Sequence, residues 1–249
     1  MLRTFLPLLA AVLAAGCAVS AENPTPGQQV AQSAEVASDA GGTTTLSYLI
    51  ALPPAAQAKP ADGWPLVFFL HGAGERGDNL AVLKKHGPPK LIGSNKALDQ
   101  AIVVSPQCPK GRVWDLVALK DLIDKVCASQ PVDKNRIYLT GLSMGGFGTW
   151  GLLAKHPDLA AAAVPICGGG DPTKVSAYKT VPIWVFHGAK DPAVPLAKSE
   201  AMVDALRKAG ATPEPKFTIY PDEAHESWTP AYNDPALWTW LFAQKKPKA

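Results

Sequence analysis

Gly141-Leu142-Ser143-Met144-Gly145 places a serine between glycines two positions away on either side. An apolar run, Arg136–Thr140, precedes it, and a segment of helical period starting at Met144 follows. Small residues at those positions let the chain turn sharply from strand into helix, holding the hydroxyl exposed in a strained backbone conformation. Such a hydroxyl serves best as a nucleophile. The five-residue pattern also arises by chance, so its weight depends on partners. A serine hydroxyl needs a base to take its proton and a carboxylate to orient that base. Two segments supply them. Pro182–Phe186 runs into His187-Gly188-Ala189-Lys190-Asp191-Pro192, and Lys216–Tyr220 runs into Pro221-Asp222-Glu223-Ala224-His225. In an open parallel sheet these loops leave the carboxyl ends of strands on one edge, so Ser143, Asp191 and His225 can meet.

The negative charge that develops on an attacked carbonyl oxygen also needs a place. Leu66–Leu70 leads into His71-Gly72-Ala73-Gly74-Glu75-Arg76-Gly77. A glycine-rich turn after an early strand can aim a backbone N–H at that oxygen, and Met144, just after the nucleophile, can supply a second. Ala73 is assigned the loop's donor, with Gly72 as the close alternative. Rival groups exist. His71 and His187 each begin a His-Gly turn and read as turn residues whose rings bond backbone, while His86 and His156 read as loop and helix-end residues. Asp222, Glu223 and Asp171 rival Asp191 as the carboxylate. Trp114 and Trp228 are candidate pocket walls, whereas Trp150, Trp184, Trp238 and Trp240 fall on core-like patterns. No spacing of His, Cys and carboxylate marks a metal site, and no Gly-Lys-Ser/Thr follows the glycine-rich loop, so a phosphate cradle is not expected. No cofactor is called for.

These groups need a scaffold. Short runs rich in Val, Ile and Phe (Thr45–Ala51, Pro65–Leu70, Ala101–Ser105, Arg136–Thr140, Ala161–Ile166, Pro182–Phe186 and Lys216–Tyr220) alternate with segments of helical period. Several runs lack apolar/polar alternation and so read as strands buried on both faces of a parallel sheet. Val113–Ser129, Met144–Lys155, Pro195–Ala209 and Pro235–Ala243 read as helices. Strand–helix alternation predicts an α/β domain with a mainly parallel sheet flanked by helices. The Gly72–Asp99 connection is expected to form a loop with a short helix beside the site. No apolar insertion suggests a large lid.

Of the 249 residues, 47% are hydrophobic and 18% charged, enough for a sizeable core. A net charge of +3 is too small and dispersed to argue for nucleic acid. The chain opens with Arg3, an apolar stretch from Phe5 to Ala15, and Leu13-Ala14-Ala15-Gly16-Cys17. That stretch is too short to span a bilayer as a mature helix and reads as an export signal. Its end resembles a bacterial lipobox, although leucine usually lies one position closer to the cysteine. The expected organisation is a lipoprotein signal peptide over 1–17 with Cys17 lipidated, a flexible tether over 18–42, and a catalytic domain over 43–249. The alternative is an ordinary secretory signal cleaved near Ala18 or Ala21. The protein is exported in either case, touching membrane only through the lipid, and Ala18 after Cys17 leans towards the outer membrane. Cys108, Cys127 and Cys167 remain, an odd number that leaves at least one thiol free. A Cys108–Cys167 bridge is open, with separate buried thiols the safer reading.

His-Gly-Ala-Gly-Glu-Arg-Gly-Asp, Gly-Leu-Ser-Met-Gly-Gly-Phe-Gly-Thr-Trp, Phe-His-Gly-Ala-Lys-Asp-Pro-Ala-Val-Pro and His-Glu-Ser-Trp together resemble the α/β-hydrolase superfamily. The similarity is to its bacterial phospholipase/carboxylesterase-like branch of predicted peptidases, related to feruloyl and polyhydroxybutyrate esterases. It covers roughly Thr43 to Gln244 and is specific for fold and triad, weak for substrate. It implies an α/β-hydrolase fold with Ser143 as nucleophile, Asp191 as acid and His225 as base, in the superfamily's chain order. The implied activity is a serine carboxylesterase acting through an acyl-enzyme. Without a lid, its expected substrates are small-molecule or polymer-linked esters with short or aromatic acyl groups. The alternatives are a serine peptidase of prolyl-oligopeptidase-like type and a non-catalytic surface binding lipoprotein.

Overall fold

Every side chain of Trp64–Leu70 is buried, because this strand lies inside a sheet covered on both faces. The computed structural model describes residues 25–55 and 57–246. Among these residues eight strands form one sheet: β1 (Gln29–Ala37), β2 (Thr43–Ala51), β3 (Trp64–Leu70), β4 (Ile102–Pro106), β5 (Val132–Leu142), β6 (Ala162–Ile166), β7 (Trp184–Gly188) and β8 (Lys216–Tyr220). Their spatial order is β1-β2-β4-β3-β5-β6-β7-β8. The β1–β2 and β2–β4 pairs are antiparallel and the others parallel, giving the mainly parallel sheet expected of an α/β-hydrolase fold.

Among the described residues six helices, α1 (Gly87–Leu91), α2 (Leu116–Ser129), α3 (Met144–Lys155), α4 (Ala197–Lys208), α5 (Trp228–Asn233) and α6 (Pro235–Ala243), accompany the sheet. Leu66, Phe68 and Leu70 of β3 join a core with Leu119, Leu122, Leu152, Leu153 and Met202 of α2, α3 and α4. Their neighbours Val67 and Phe69 point the other way, into a core with Trp228, Tyr232, Trp238 and Leu241 of α5 and α6. The period-2 alternation of a strand thus feeds two apolar layers, and each fully buried Phe or Leu contributes roughly 1.5–3 kcal/mol. Helix starts follow their caps. The helix expected from Val113 begins at Leu116 because Asp115 accepts bonds from the Val117 and Ala118 N–H groups at 2.9 Å each.

One expectation needs correction. Residues 18–42 were expected to form a tether, but Gln29–Ala37 is an edge strand paired along its whole length with β2. Its composition hides this, since only Val30 and Val36 are large inward apolar residues, both buried. The strand is further tied to α2, where Asp121 accepts from the Ala37 N–H at 2.7 Å and Asp115 from the Ser38 hydroxyl at 2.8 Å. The folded domain therefore begins before residue 43. Trp228–Asn233 forms a further helix just after His225, to which the sequence reading assigned no element. The signal segment with Cys17, and the first residues of the tether, lie outside the described residues. The Gly72–Asp99 connection carries three short 3-10 helices besides α1 and no long apolar cover.

The chain steps from β3 outward to β4 and then returns to place β5 on the other side of β3. A crevice opens at such a reversal, outside the carboxyl ends of the strands. The turns after β3 and β5 both empty into it.

Candidate active site

Ser143 sits at the β5–α3 turn with φ 52° and ψ −118°. A non-glycine residue in that region costs about 1–3 kcal/mol, which the surrounding structure must hold. The glycines explain how the turn closes. A Cβ on Gly145 would run into the Leu70 carbonyl oxygen of β3, and one on Gly141 into the Gly145 carbonyl oxygen. Backbone packs against backbone here, so no side chain fits. The Ser143 N–H is tied to the Ile166 carbonyl of β6 at 3.0 Å.

The structure brings the three separated residues together. His225 Nε2 lies 2.9 Å from Ser143 Oγ, and His225 Nδ1 lies 2.7 Å from Asp191 Oδ2. The other Asp191 oxygen, Oδ1, accepts the N–H groups of Ala193 and Val194 at 2.8 and 2.9 Å. Burial raises the Asp191 carboxyl, but the bond from His225 and the two backbone N–H groups outweigh it and hold the group below its ordinary value. Asp191 is thus an anion, its side chain fully buried beneath the imidazole.

His187 was read as a turn residue bonding backbone, and its ring does so: Nε2 donates to the Val194 carbonyl at 2.9 Å. It does more. The same Nε2 lies 3.2 Å from Asp191 Oδ2, and Nδ1 meets the Ser199 hydroxyl of α4 at 2.7 Å. A second imidazole therefore braces the acid loop, a role that spacing alone did not reveal. Two of the rival carboxylates are engaged elsewhere. Asp222 pairs with Lys190 at 2.8 Å on the surface, and Asp171 caps a 3-10 helix by accepting from Thr173.

The glycine-rich turn approaches the nucleophile closely, since a Cβ on Gly72 would lie 3.7 Å from the Ser143 Cβ and 2.8 Å from Leu142 Cδ1. His71 Nδ1 donates to the Gly72 carbonyl at 2.6 Å, while Nε2 accepts the Cys108 N–H at 2.9 Å. A planar trans peptide points its C=O and N–H in opposite directions. By holding the Gly72 oxygen, His71 therefore also sets the direction of the Ala73 N–H. Ala73 and Met144 each occupy the first position of a helix, where an N–H has no intrahelical partner. Burial lowers the His71 ring to about 4, with the Gly72 bond opposing and Arg76 reinforcing the shift, which keeps the imidazole neutral.

Trp228 was expected as a pocket wall. It is largely buried, packs edge-on against His225 with centroids 5.3 Å apart, and donates from Nε1 to His86 Nδ1 at 3.3 Å. His86 Nε2 in turn lies 3.8 Å from the buried Glu75 carboxylate. Trp228 thus backs the base. Trp114 packs against His71, centroids 4.7 Å apart, and lines an open groove beside Ser143. Cys108 and Cys167 are separate buried thiols, not a bridge. Among the described residues, Cys167, Asp191 and His225 are the one group with ligand atoms close enough, within 4.8 Å, to suit a metal. Burial pushes the Cys167 thiol up to about 12, and the other two groups already bond each other, so the set does not fit a metal centre.

The family described as Phospholipase/Carboxylesterase matches residues 115–234. A poly(3-hydroxyalkanoate) depolymerase C from Paucimonas lemoignei is 30% identical over 188 residues, covering 67% of this chain and 42% of that protein. A bifunctional acetylxylan esterase/xylanase, XynS20E, from Neocallimastix patriciarum is 28% identical, covering 71% and 26%. The chain thus spans less than half the length of either relative. Among solved structures, a thermostable esterase is 33% identical, with a TM-score of 0.72, over 87% of this chain and 63% of that one.

Proposed function

We propose that this chain, a member of the α/β-hydrolase superfamily and a serine hydrolase of esterase type, cleaves soluble or polymer-linked carboxylic esters with short or aromatic acyl groups. The observation that carries the reading is the continuous relay from Ser143 Oγ through His225 to Asp191, with contacts of 2.9 and 2.7 Å. Polymer-linked esters are suggested by the poly(3-hydroxyalkanoate) depolymerase and acetylxylan esterase among its relatives.

In this reading Ser143 Oγ attacks the ester carbonyl carbon as His225 Nε2 takes the hydroxyl proton. Asp191 keeps the imidazole in the tautomer with hydrogen on Nδ1 and stabilises the imidazolium. The carbonyl oxygen, now an anion, is met by the Ala73 and Met144 N–H groups, and the N-terminal end of α3 adds its dipole. When the tetrahedral species collapses, His225 returns the proton to the leaving alcohol, and an acyl group remains on Ser143. Water repeats the sequence, giving the acid and the free serine. Gly72 lets the oxyanion loop approach the substrate, and no cofactor takes part.

The N-terminal signal and lipobox-like Leu13–Cys17 support an exported protein anchored through lipidated Cys17. Labelled-palmitate incorporation should disappear in Cys17→Ala, and its survival would refute the anchor.

A fluorophosphonate probe, followed by nitrophenyl acetate, methyl ferulate and a peptide panel, tests the activity. Labelling at Ser143 with ester cleavage fastest is expected. Amide cleavage outpacing ester cleavage would indicate a peptidase, and no labelling would indicate a binding protein.

A further inference from the structure

Val113, Trp114, Leu116, Met144, Phe147, Gly148 and Gly151 enclose, with Ser143, an open groove of about 520 Å³. None of these side chains is charged, and the serine hydroxyl is the only hydrogen-bonding group among them apart from the Trp114 indole. Among the described residues four large hydrophobics are exposed, and two of them, Val113 (73%) and Phe147 (41%), stand on the rim of this groove. Exposing such side chains together costs solvation unless a ligand covers them.

Two positions of α3 that line the groove carry no side chain, which lets Trp114 and Leu116 pack directly against the helix as its opposite wall. A Cβ at Gly148 would lie 2.8 Å from Trp114 Cδ1, and one at Gly151 would lie 3.0 Å from Leu116 Cδ1. Met144, Phe147, Gly148 and Gly151 recur at helical spacing along one face, so the groove starts at the nucleophile and follows the helix axis. The seven residue steps from Met144 to Gly151 span about 10 Å.

We infer that this groove is the acyl subsite and that it takes an elongated, unbranched apolar acyl group, such as a medium-length alkyl chain or an aryl ring on a short linker, in preference to acetyl. The inference rests on the esterase reading and shifts its aliphatic acyl range from short to medium-length chains. The assignment to the acyl side follows from where protons must go. His225 has to hand its proton to the leaving oxygen, so the alcohol lies on the His225 side. No residue of the His225 loop lines the groove, which leaves it to the acyl moiety.

Each buried methylene should raise kcat/KM about three- to fourfold until the groove is filled. The test measures kcat/KM for nitrophenyl acetate, butanoate, hexanoate and octanoate, and for cinnamate, and reads the ratio of each to acetate. In the native protein the ratio is expected to exceed tenfold for octanoate or cinnamate. Val113→Asp and Phe147→Asp, both at exposed positions, should cut it at least tenfold, whereas Ile219→Asp, an exposed residue of β8 remote from the groove, should leave it unchanged. Gly151→Leu should penalise octanoate more than butanoate, a length cut-off that a general folding defect would not produce.

A native preference for acetate, or ratios unmoved by both aspartate variants, would overturn the inference. If the native protein cleaves no ester although Ser143 is labelled, the esterase reading fails separately. The groove is then judged from labelling rates with ethyl- and octyl-fluorophosphonate. Faster octyl labelling that Val113→Asp abolishes supports it, and equal rates refute it.

Discussion

Asp191→Asn probes the relay with almost no change in volume, and the surroundings determine which way the amide must face. Oδ1 accepts two backbone N–H groups, from Ala193 and Val194. An amide nitrogen cannot replace it there without setting a donor against two donors. The asparagine oxygen therefore stays at Oδ1, and its NH₂ takes the place of Oδ2. That position faces His225 Nδ1 at 2.7 Å and lies 3.2 Å from His187 Nε2, which carries a hydrogen for Val194. His225 can accept from the NH₂ only by moving its own hydrogen to Nε2. The nitrogen facing Ser143 then has no lone pair with which to take the serine proton. A wrong tautomer of this kind lowers kcat by about 10⁴, equivalent to about 5 kcal/mol of transition-state stabilisation. Purified Asp191→Asn should retain its thermal transition while nitrophenyl ester turnover at pH 7 falls by that factor. A variant keeping more than about a tenth of native kcat would refute the assignment and turn attention to Asp222 or Glu223, whose amide variants should otherwise have little effect.

Gly145→Ala should destabilise the fold by about 3 kcal/mol, the upper range for overpacking, because the new methyl meets the Leu70 carbonyl and lies 2.8 Å from that of His71; denaturant unfolding measures the loss and fluorophosphonate labelling the displaced nucleophile. His71 makes stability pH-dependent. Its folded-state pKa, lowered to about 4, lies below the ordinary 6.5, so its contribution is complete above pH 6.5 and is lost as the unfolded chain takes up a proton that the folded one refuses. The stability difference between native protein and His71→Gln should shrink as pH falls through that window, by about 3 kcal/mol in total, and a difference independent of pH would refute the neutral buried ring. A chain lacking residues 1–42 should lose about 4 kcal/mol relative to one lacking 1–24, from the exposed partners of Val30 and Val36, which places its Tm roughly 8–16 °C lower. Equal Tm values would restore the tether reading for β1.

Periodicity made most of the scaffold legible. Met144–Lys155, Pro235–Ala243 and Lys216–Tyr220 keep the bounds read from sequence, since their apolar spacing and terminal signals agree. β1 was hidden because seven of its nine residues are small or polar, and its strand state comes from pairing with β2, a long-range partner that local composition does not encode. α5 was hidden because Ser227 makes no side-chain cap and Pro230 lies inside the short helix. Ser143, Asp191 and His225 were readable because each chemical type follows a recognisable strand, and strand ends in a parallel sheet share an edge.

What sequence could not set was everything that depends on directions between elements. Whether His187 bonds only backbone or also stands 3.2 Å from the acid depends on how β7 and α4 pack. Whether Trp228 lines a pocket or backs the base is a rotamer decided by His86 and His225. Gly148 and Gly151 look in sequence like weak points of a helix, and only the folded chain shows that Trp114 and Leu116 pack directly against them as a wall of the groove. Residue type and spacing thus determined the chemistry available to this protein, while the packing of layers determined which groups face one another, because hydrogen bonds and apolar contacts act over a few ångströms that only the folded chain defines.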